Sequence, residues 1–240
     1  MSSATAAEAV KIFKGVYRDV NIALANELAK IAEKLEINIY EIIKAANTEP
    51  YSHIHKPGAG VGGHCIPVYP HFLINAGKEL GVETRLIETG REINLDMPNH
   101  VVKRVIQALN KINKCLMNKK ICLLGLSYRG DVKEYRYSPT LDVIRELKNY
   151  KPNIVLHDPL FTEKELRDII DIKFERDMIK AVSDSDCIVI LTDHTKYKDL
   201  DVSFFDKYAK NPYAIIDTKH LLKHSEAEEI NNRVIMGIGE

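Results

Sequence analysis

The sequence carries no excess charge of either sign. Lys+Arg and Asp+Glu both number 34, so no global field favours nucleic acid or an anionic membrane, and any anion site has to be local. It lacks an apolar run near the roughly 20 residues of a membrane span, and its N-terminus lacks a signal peptide's charged and apolar regions. These absences predict a cytoplasmic protein with neither nucleic acid nor membrane as partner. Cysteine is sparse too: Cys65, Cys115, Cys122 and Cys187 form no framework of the secreted type. Cys122 and Cys187 fall in the runs ICLLGL and CIVILT, which read as buried strands where cysteine packs as a small hydrophobe. Cys115 lies near a helix end among lysines. Cys65 stands alone in a glycine-rich loop. What remains is an ordinary globular balance, 45% apolar and 28% charged over 240 residues, enough for one or two domains with a real core.

Residues 4–35 read as one long helix, with Val10, Phe13, Val20, Leu24, Leu28, Ile31 and Leu35 at helical spacing and Gly15 the only interruption. Such a helix runs roughly 45 Å, more than a small domain needs for itself, and so predicts a partner. Helices are expected near 39–47, 70–80 and 83–93, and another from about 98 to 114 with Pro98 in its first turn. From Lys119 the pattern changes. The runs KICLLGL, NIVLHD, DCIVILTD and YAIIDT alternate with helical stretches near 139–149, 162–171, 176–183 and 203–209. Two-sided apolar strands alternating with helices predict a parallel sheet covered on both faces. The expected division is an all-α domain over 1–97, a connecting helix over 98–118, and an α/β Rossmann-like domain over 119–240. The last twenty residues are weakly patterned.

The loop TEPYSHIHKPGAGVGGHCIPVYP holds Gly58, Gly60, Gly62 and Gly63 directly before Cys65. Closely spaced glycines let the backbone approach a ligand, and a thiol there can be exposed and ionised. A covalent adduct with an aldehyde is a sensible use for it. Two other readings stand beside this one: a plain turn with an inert thiol, and a metal site using His53, His55, His64 and Cys65, whose spacing fits no common zinc pattern. No metal is expected. GAGVGG follows no strand, and GLSYRG departs from GxGxxG, so neither is a dinucleotide fingerprint.

GAGVGGHCIP resembles the cysteine loop of the UDP-glucose/GDP-mannose dehydrogenase family. AEAVKIFKGVYRDVNIALANELAKI resembles that family's central helix, LLGLSYRGDVKEYRYSP the opening of its C-terminal nucleotide-binding domain, and LTDH and IIDTKH its later strand ends. The resemblance runs from about residue 4 to 222. It implies an NAD-dependent oxidation of a UDP-sugar's 6-hydroxymethyl to a carboxylate by two hydride transfers, through a cysteine adduct and a thioester. It implies Cys65 as nucleophile and Lys11 as the proton-transfer or oxyanion-stabilising group. Arg18, seven residues after Lys11, shares its helix face. By the same resemblance Tyr128, Arg129 and Lys219 contact the nucleotide sugar, and Arg136 reaches cofactor bound to a neighbouring subunit. Arg18 on the Lys11 face and the open backbone at Gly60 and Gly62 are expected to contact the anionic substrate, and the long helix, as in the family, to form a homodimer. Two positions depart from the family pattern: Gly15 stands where Asn is usual, and Tyr69 where Asp is usual. The family's N-terminal NAD-binding domain has no counterpart before Ala4, so the isolated chain is expected to be inactive. The alternative is a non-catalytic nucleotide-sugar-binding and dimerisation module.

Overall fold

The computed structural model describes residues 1–222 and 233–240. Two compact units divide the chain: Met1–Met97 with Gly239–Glu240, and Pro98–Ile238.

The first unit is helical. Helix α1 spans Ala4–Leu35, capped by the Ser3 side chain accepting from the Ala6 amide and closed by Glu36 in the left-handed conformation. Its buried side is built of small residues: Gly15, Ala23, Ala25, Ala29 and Ala32. Small side chains let neighbouring backbone come close, as where Val20 lies against Gly90. Its large apolar residues face out instead. Val10, Phe13, Tyr17, Leu24, Ile31 and Leu35 are each about half exposed or more. At 100° per residue these six fall within one narrow stripe. Val20 and Leu28, expected on that stripe, are partly buried. Helix α2 (Ile39–Ala46) and helix α3 (Tyr69–Leu80) flank the glycine-rich loop.

Helix α4 runs from Arg85 to Lys111 without a break, with Pro98 inside it. This corrects the expectation of two helices with Pro98 opening the second. Pro98 removes one helical hydrogen bond and costs about 3 kcal/mol. Met97, Val101, Val105 and Ala108 are all fully buried, so one apolar face continues through the proline and outweighs that cost.

The second unit is a six-stranded parallel sheet of order β3-β2-β1-β4-β5-β6. Its strands are β1 Lys120–Leu124, β2 Asn153–His157, β3 Lys173–Phe174, β4 Cys187–Ile190, β5 Tyr213–Asp217 and β6 Arg233–Gly237. Strands β1, β2, β4 and β5 are buried on both faces apart from their first residues in β1 and β2, as their unbroken apolar runs require. The intervening helices are α5 (Pro139–Lys148), α6 (Glu163–Leu166), α7 (Met178–Val182), α8 (Thr195–Lys198) and α9 (Val202–Tyr208). Helix α6 is one turn long where 162–171 was expected: a Thr162–Glu165 capping box starts it, and the chain turns after Leu166. The weakly patterned C-terminus supplies β6; residues 223–232 lie outside the described residues. Among the described residues no helix is long and apolar enough to cross a membrane.

Candidate functional site

In the helical unit, a chain of buried polar groups ties the glycine-rich loop to α1 and α4. The Arg91 guanidinium donates to Asp19 Oδ1 at 2.5 Å. Asn94 donates to the carboxylate and main-chain carbonyl of Asp19, each at 2.9 Å. Asn26 donates to Asn94 Oδ1 and accepts from the Gly58 amide, both at 2.9 Å. Burial pushes the Asp19 carboxyl up, and the Arg91 charge opposes it. Beyond Gly58, Gly60 and Gly63 take φ of 132° and 93°, which side chains other than glycine resist. The loop then enters α3, where the Val68 and Tyr69 amides donate to the Cys65 carbonyl at 3.1 and 2.9 Å. Gly60 and Gly62 are themselves half-buried.

Cys65 is half-buried at this entrance, one turn before Tyr69 opens α3. Cys122 and Cys187 are fully buried, and burial pushes the Cys122 thiol up to about 12 and that of Cys187 higher still. Both are inert as thiolates. Cys115 is exposed. Lys11 and Arg18 are exposed on α1. Arg18 stands close to the loop: burial first, then its charge, push the His55 imidazole down, so His55 is neutral at pH 7. Lys11 lies one turn before Gly15, and the ring of Tyr69 lies against Gly15. A metal site needs at least three clustered His, Cys, Asp or Glu side chains, and the described residues bring no such group together.

In the sheet unit the order 3-2-1-4-5-6 puts the topological switch point, where doubly wound sheets form their crevice, at the C-terminal ends of the paired strands β1 and β4. Tyr128 and Arg129 follow β1 there, and Lys219 follows β5. Arg129 is exposed and carries no ion pair among the described residues. Lys219 is half-buried; burial pulls its ammonium below the usual lysine range, while Asp193 and Asp217 oppose that pull. Arg136 is not open in the same way, since its guanidinium forks onto the Glu134 carboxylate at 2.9–3.2 Å.

A dinucleotide does not fit at this crevice. Where a pyrophosphate would need free backbone amides at the end of β1, Asp158 accepts from Leu126 and Ser127 at 2.8 and 2.9 Å. Gly130 and Asp131 donate to Asp193 and His194 at 2.9 and 3.0 Å, and Gly125 packs directly onto Thr192. Helix α5 starts only at Pro139, so no helix N-terminus follows the turn directly.

Comparison with known proteins decides the family. Residues 5–96 match the UDP-glucose/GDP-mannose dehydrogenase family, central domain, and residues 122–224 match the same family's UDP binding domain. The chain belongs to this family. It is 36% identical over 229 residues to a UDP-N-acetyl-D-mannosamine dehydrogenase of Methanococcus vannielii, covering 94% of this chain and 50% of that one. A solved structure of the Pyrococcus horikoshii UDP-N-acetyl-D-mannosamine dehydrogenase aligns with TM-score 0.84 and 35% identity, covering 99% of this chain and 52% of the other. An NDP-N-acetyl-D-galactosaminuronic acid dehydrogenase from Methanosarcina mazei aligns with TM-score 0.89 at 25% identity, covering 99% and 51%. The chain spans about half the length of the relatives it matches.

Within the UDP-binding domain, the groups that shape the crevice were not singled out from sequence. Asp158 is fully buried. Burial would raise its carboxyl, but the His194 hydrogen bond and the Ser127 and Leu160 amides outweigh that and hold it below the usual range. The runs NIVLHD and LTDH, polar ends on apolar strands, were the available signal. In the central domain, Asn26, Asp19 and Asn94 gave no local signal, because their partners lie 32 to 75 residues away in sequence.

Proposed function

We propose that the chain is the substrate-binding, nucleophile-bearing part of a UDP-N-acetylmannosamine 6-dehydrogenase, a reading also favoured by the passages YRDVNIALANELA and GVGGHCIP. The observation that carries it is the contrast among thiols: Cys65 sits half-buried in the glycine-rich loop while Cys122 and Cys187 are sealed in the sheet. In this reading residues 1–97 hold the chemistry and the subunit contact, 98–118 link, and 119–240 bind the nucleotide sugar. Cys65 adds to the aldehyde carbon of the half-oxidised sugar: an S–C bond forms and the carbonyl oxygen takes a proton. After the second oxidation, water adds to the thioester, the S–C bond breaks, and the carboxylate and a free thiol result. Lys11 stabilises the oxygen where charge develops. Arg129 and Lys219, with Tyr128, hold the diphosphate and its nucleoside. The hydride acceptor of the family, NAD, has no cradle in the residues described, so these 240 residues need a dinucleotide-binding domain, joined or separate, for turnover. The exposed stripe on α1 is the proposed homodimer contact.

Calorimetric titration with UDP-N-acetylmannosamine and GDP-mannose tests the reading. The UDP-sugar binds, the GDP-sugar binds more weakly, and Arg129→Ala weakens the UDP-sugar by roughly tenfold or more, as loss of a charge-assisted hydrogen bond implies. No UDP-sugar binding would overturn it. Binding without a reactive Cys65 would favour the non-catalytic module, which the departures at Gly15 and Tyr69 motivate.

A further inference from the structure

Just beyond β4, four consecutive residues clasp the turn that carries Arg129. The Thr192 hydroxyl donates to the Ser127 carbonyl at 2.6 Å. Asp193 Oδ1 accepts from the Gly130 amide at 2.9 Å, and a Cβ at Gly130 would run into the Asp193 carbonyl. His194 Nδ1 accepts from the Asp131 amide at 3.0 Å. Thr195 closes the clasp, its amide donating to the two oxygens of the Asp131 carboxylate at 3.1 and 3.4 Å and its hydroxyl to Oδ2. Behind the turn, Oδ2 of the buried Asp158 takes the Leu126 and Ser127 amides, and His194 Nε2 at 3.1 Å. Arg129 is the exposed side chain between these two anchored flanks.

We propose that His194 is the positioning residue for Arg129, its Nδ1 holding the Asp131 amide while its Nε2–H is held by Asp158. The tautomer follows from the two partners. A main-chain N–H can only donate, so Nδ1 has to offer its lone pair. An ionised carboxylate can only accept, so the ring proton facing Asp158 sits on Nε2. The Asp131 carboxylate also stands 3.5 Å from Nδ1, but Thr195 already engages its oxygens. The ring is fully buried and lies edge-on to Tyr197, with centroids 5.3 Å apart. Turning it over would leave both partners unmet, at the cost of buried hydrogen bonds. A guanidinium recognises phosphate oxygens through a rigid fork, so its backbone has to be placed as well as its charge. A turn ordered beforehand does not have to be ordered on binding. The proposal rests on the reading that Arg129 holds the diphosphate of a UDP-sugar; His194 acts through it and touches no ligand.

The test titrates UDP calorimetrically into the full chain and follows amide exchange of the peptide covering 126–131 without nucleotide. His194→Gln places its amide where Nε2 stands and leaves the Asp131 amide unmet. It weakens UDP by roughly three- to tenfold, the worth of one hydrogen bond, and speeds exchange over 126–131. His194→Asn puts an oxygen near the place of Nδ1 and recovers most of both losses, although it is the smaller side chain. A histidine that only filled the core would give the opposite order, since asparagine leaves the larger void. In the Arg129→Ala background His194→Gln costs no further affinity, because the side chain it positions is gone. Cys122 and Cys187 that stay silent to alkylation show the sheet folded in each variant. Should His194→Gln fail that check, Thr195→Val replaces it: the exposed residue loses its hydroxyl bond to Asp131, which loosens the same peptide and weakens UDP in the same direction. Glutamine and asparagine variants that behave alike overturn the proposal, as do losses that multiply in the Arg129→Ala background. A wild type that takes no UDP overturns the reading of Arg129 and this proposal with it, and that failure shows before any variant is made.

Discussion

The sheet unit and the helical unit bury opposite kinds of residue. In the sheet, large apolar side chains such as Leu124, Ile188, Ile215, Tyr197 and Phe205 are fully buried against one another. In the helical unit the buried side of α1 is alanine and glycine threaded by a polar chain, and the large side chains point outward. The first arrangement is self-sufficient. The second leaves apolar area that only another surface can cover. Cys65, the proposed nucleophile, sits in the helical unit, on a loop held by Asn26 and the groups behind it. The proposed chemistry thus falls on a polar scaffold with an exposed apolar outer stripe, while the sheet unit packs its large side chains inward.

The sharpest way to break the sheet unit's self-sufficiency is acid. His157 is fully buried, with Nδ1 against the Tyr197 hydroxyl at 2.7 Å and Nε2 without a partner. Burial first, then the charge of Lys196, push its imidazole down to about 4. The unfolded chain takes up that proton near pH 6.5, the folded chain only near 4. The contribution is therefore complete above about pH 6.5 and is lost as pH falls toward 4, up to roughly 3 kcal/mol. Urea unfolding across this window should show wild type losing that much more stability than His157→Gln. Parallel pH profiles of the two proteins would contradict it.

The helical unit should break differently. Leu24 is about half exposed in the middle of the α1 stripe, so Leu24→Asp should leave the subunit folded. Burying such a side chain is worth about 1.5–3 kcal/mol, which predicts a dimer dissociation constant at least tenfold weaker by light scattering. A wild-type monomer at micromolar concentration would remove the homodimer from the account.

Legibility in the sequence follows the same divide. The four central strands are written in adjacent residues, because a strand covered on both faces must be apolar throughout. The span of α1 is equally local, and its single glycine does not end it. β3 and β6 escaped notice because one is two residues long and the other is only half-buried over its first three residues. Pro98 misled because its missing N–H suits a first turn, whereas the buried face running through it belongs to the tertiary packing. Cys65 was legible from the glycines around it. Tyr69 against Gly15 was not, since a contact 54 residues apart leaves no periodicity; both appeared only as departures from the family pattern. Arg136 illustrates the converse: its ion-pair partner Glu134 stands only two residues before it and was visible in sequence.

The most direct measurement is native alkylation of the chain with and without UDP-N-acetylmannosamine, mapped by mass spectrometry. Cys122 and Cys187 should stay silent until unfolding, and exposed Cys115 should label equally in both conditions. Cys65 should label readily, and the sugar nucleotide should slow it severalfold by occupying the space before the thiol. A Cys65 that is silent in the free protein, or that labels at the same rate with saturating ligand, would contradict its assignment as the nucleophile.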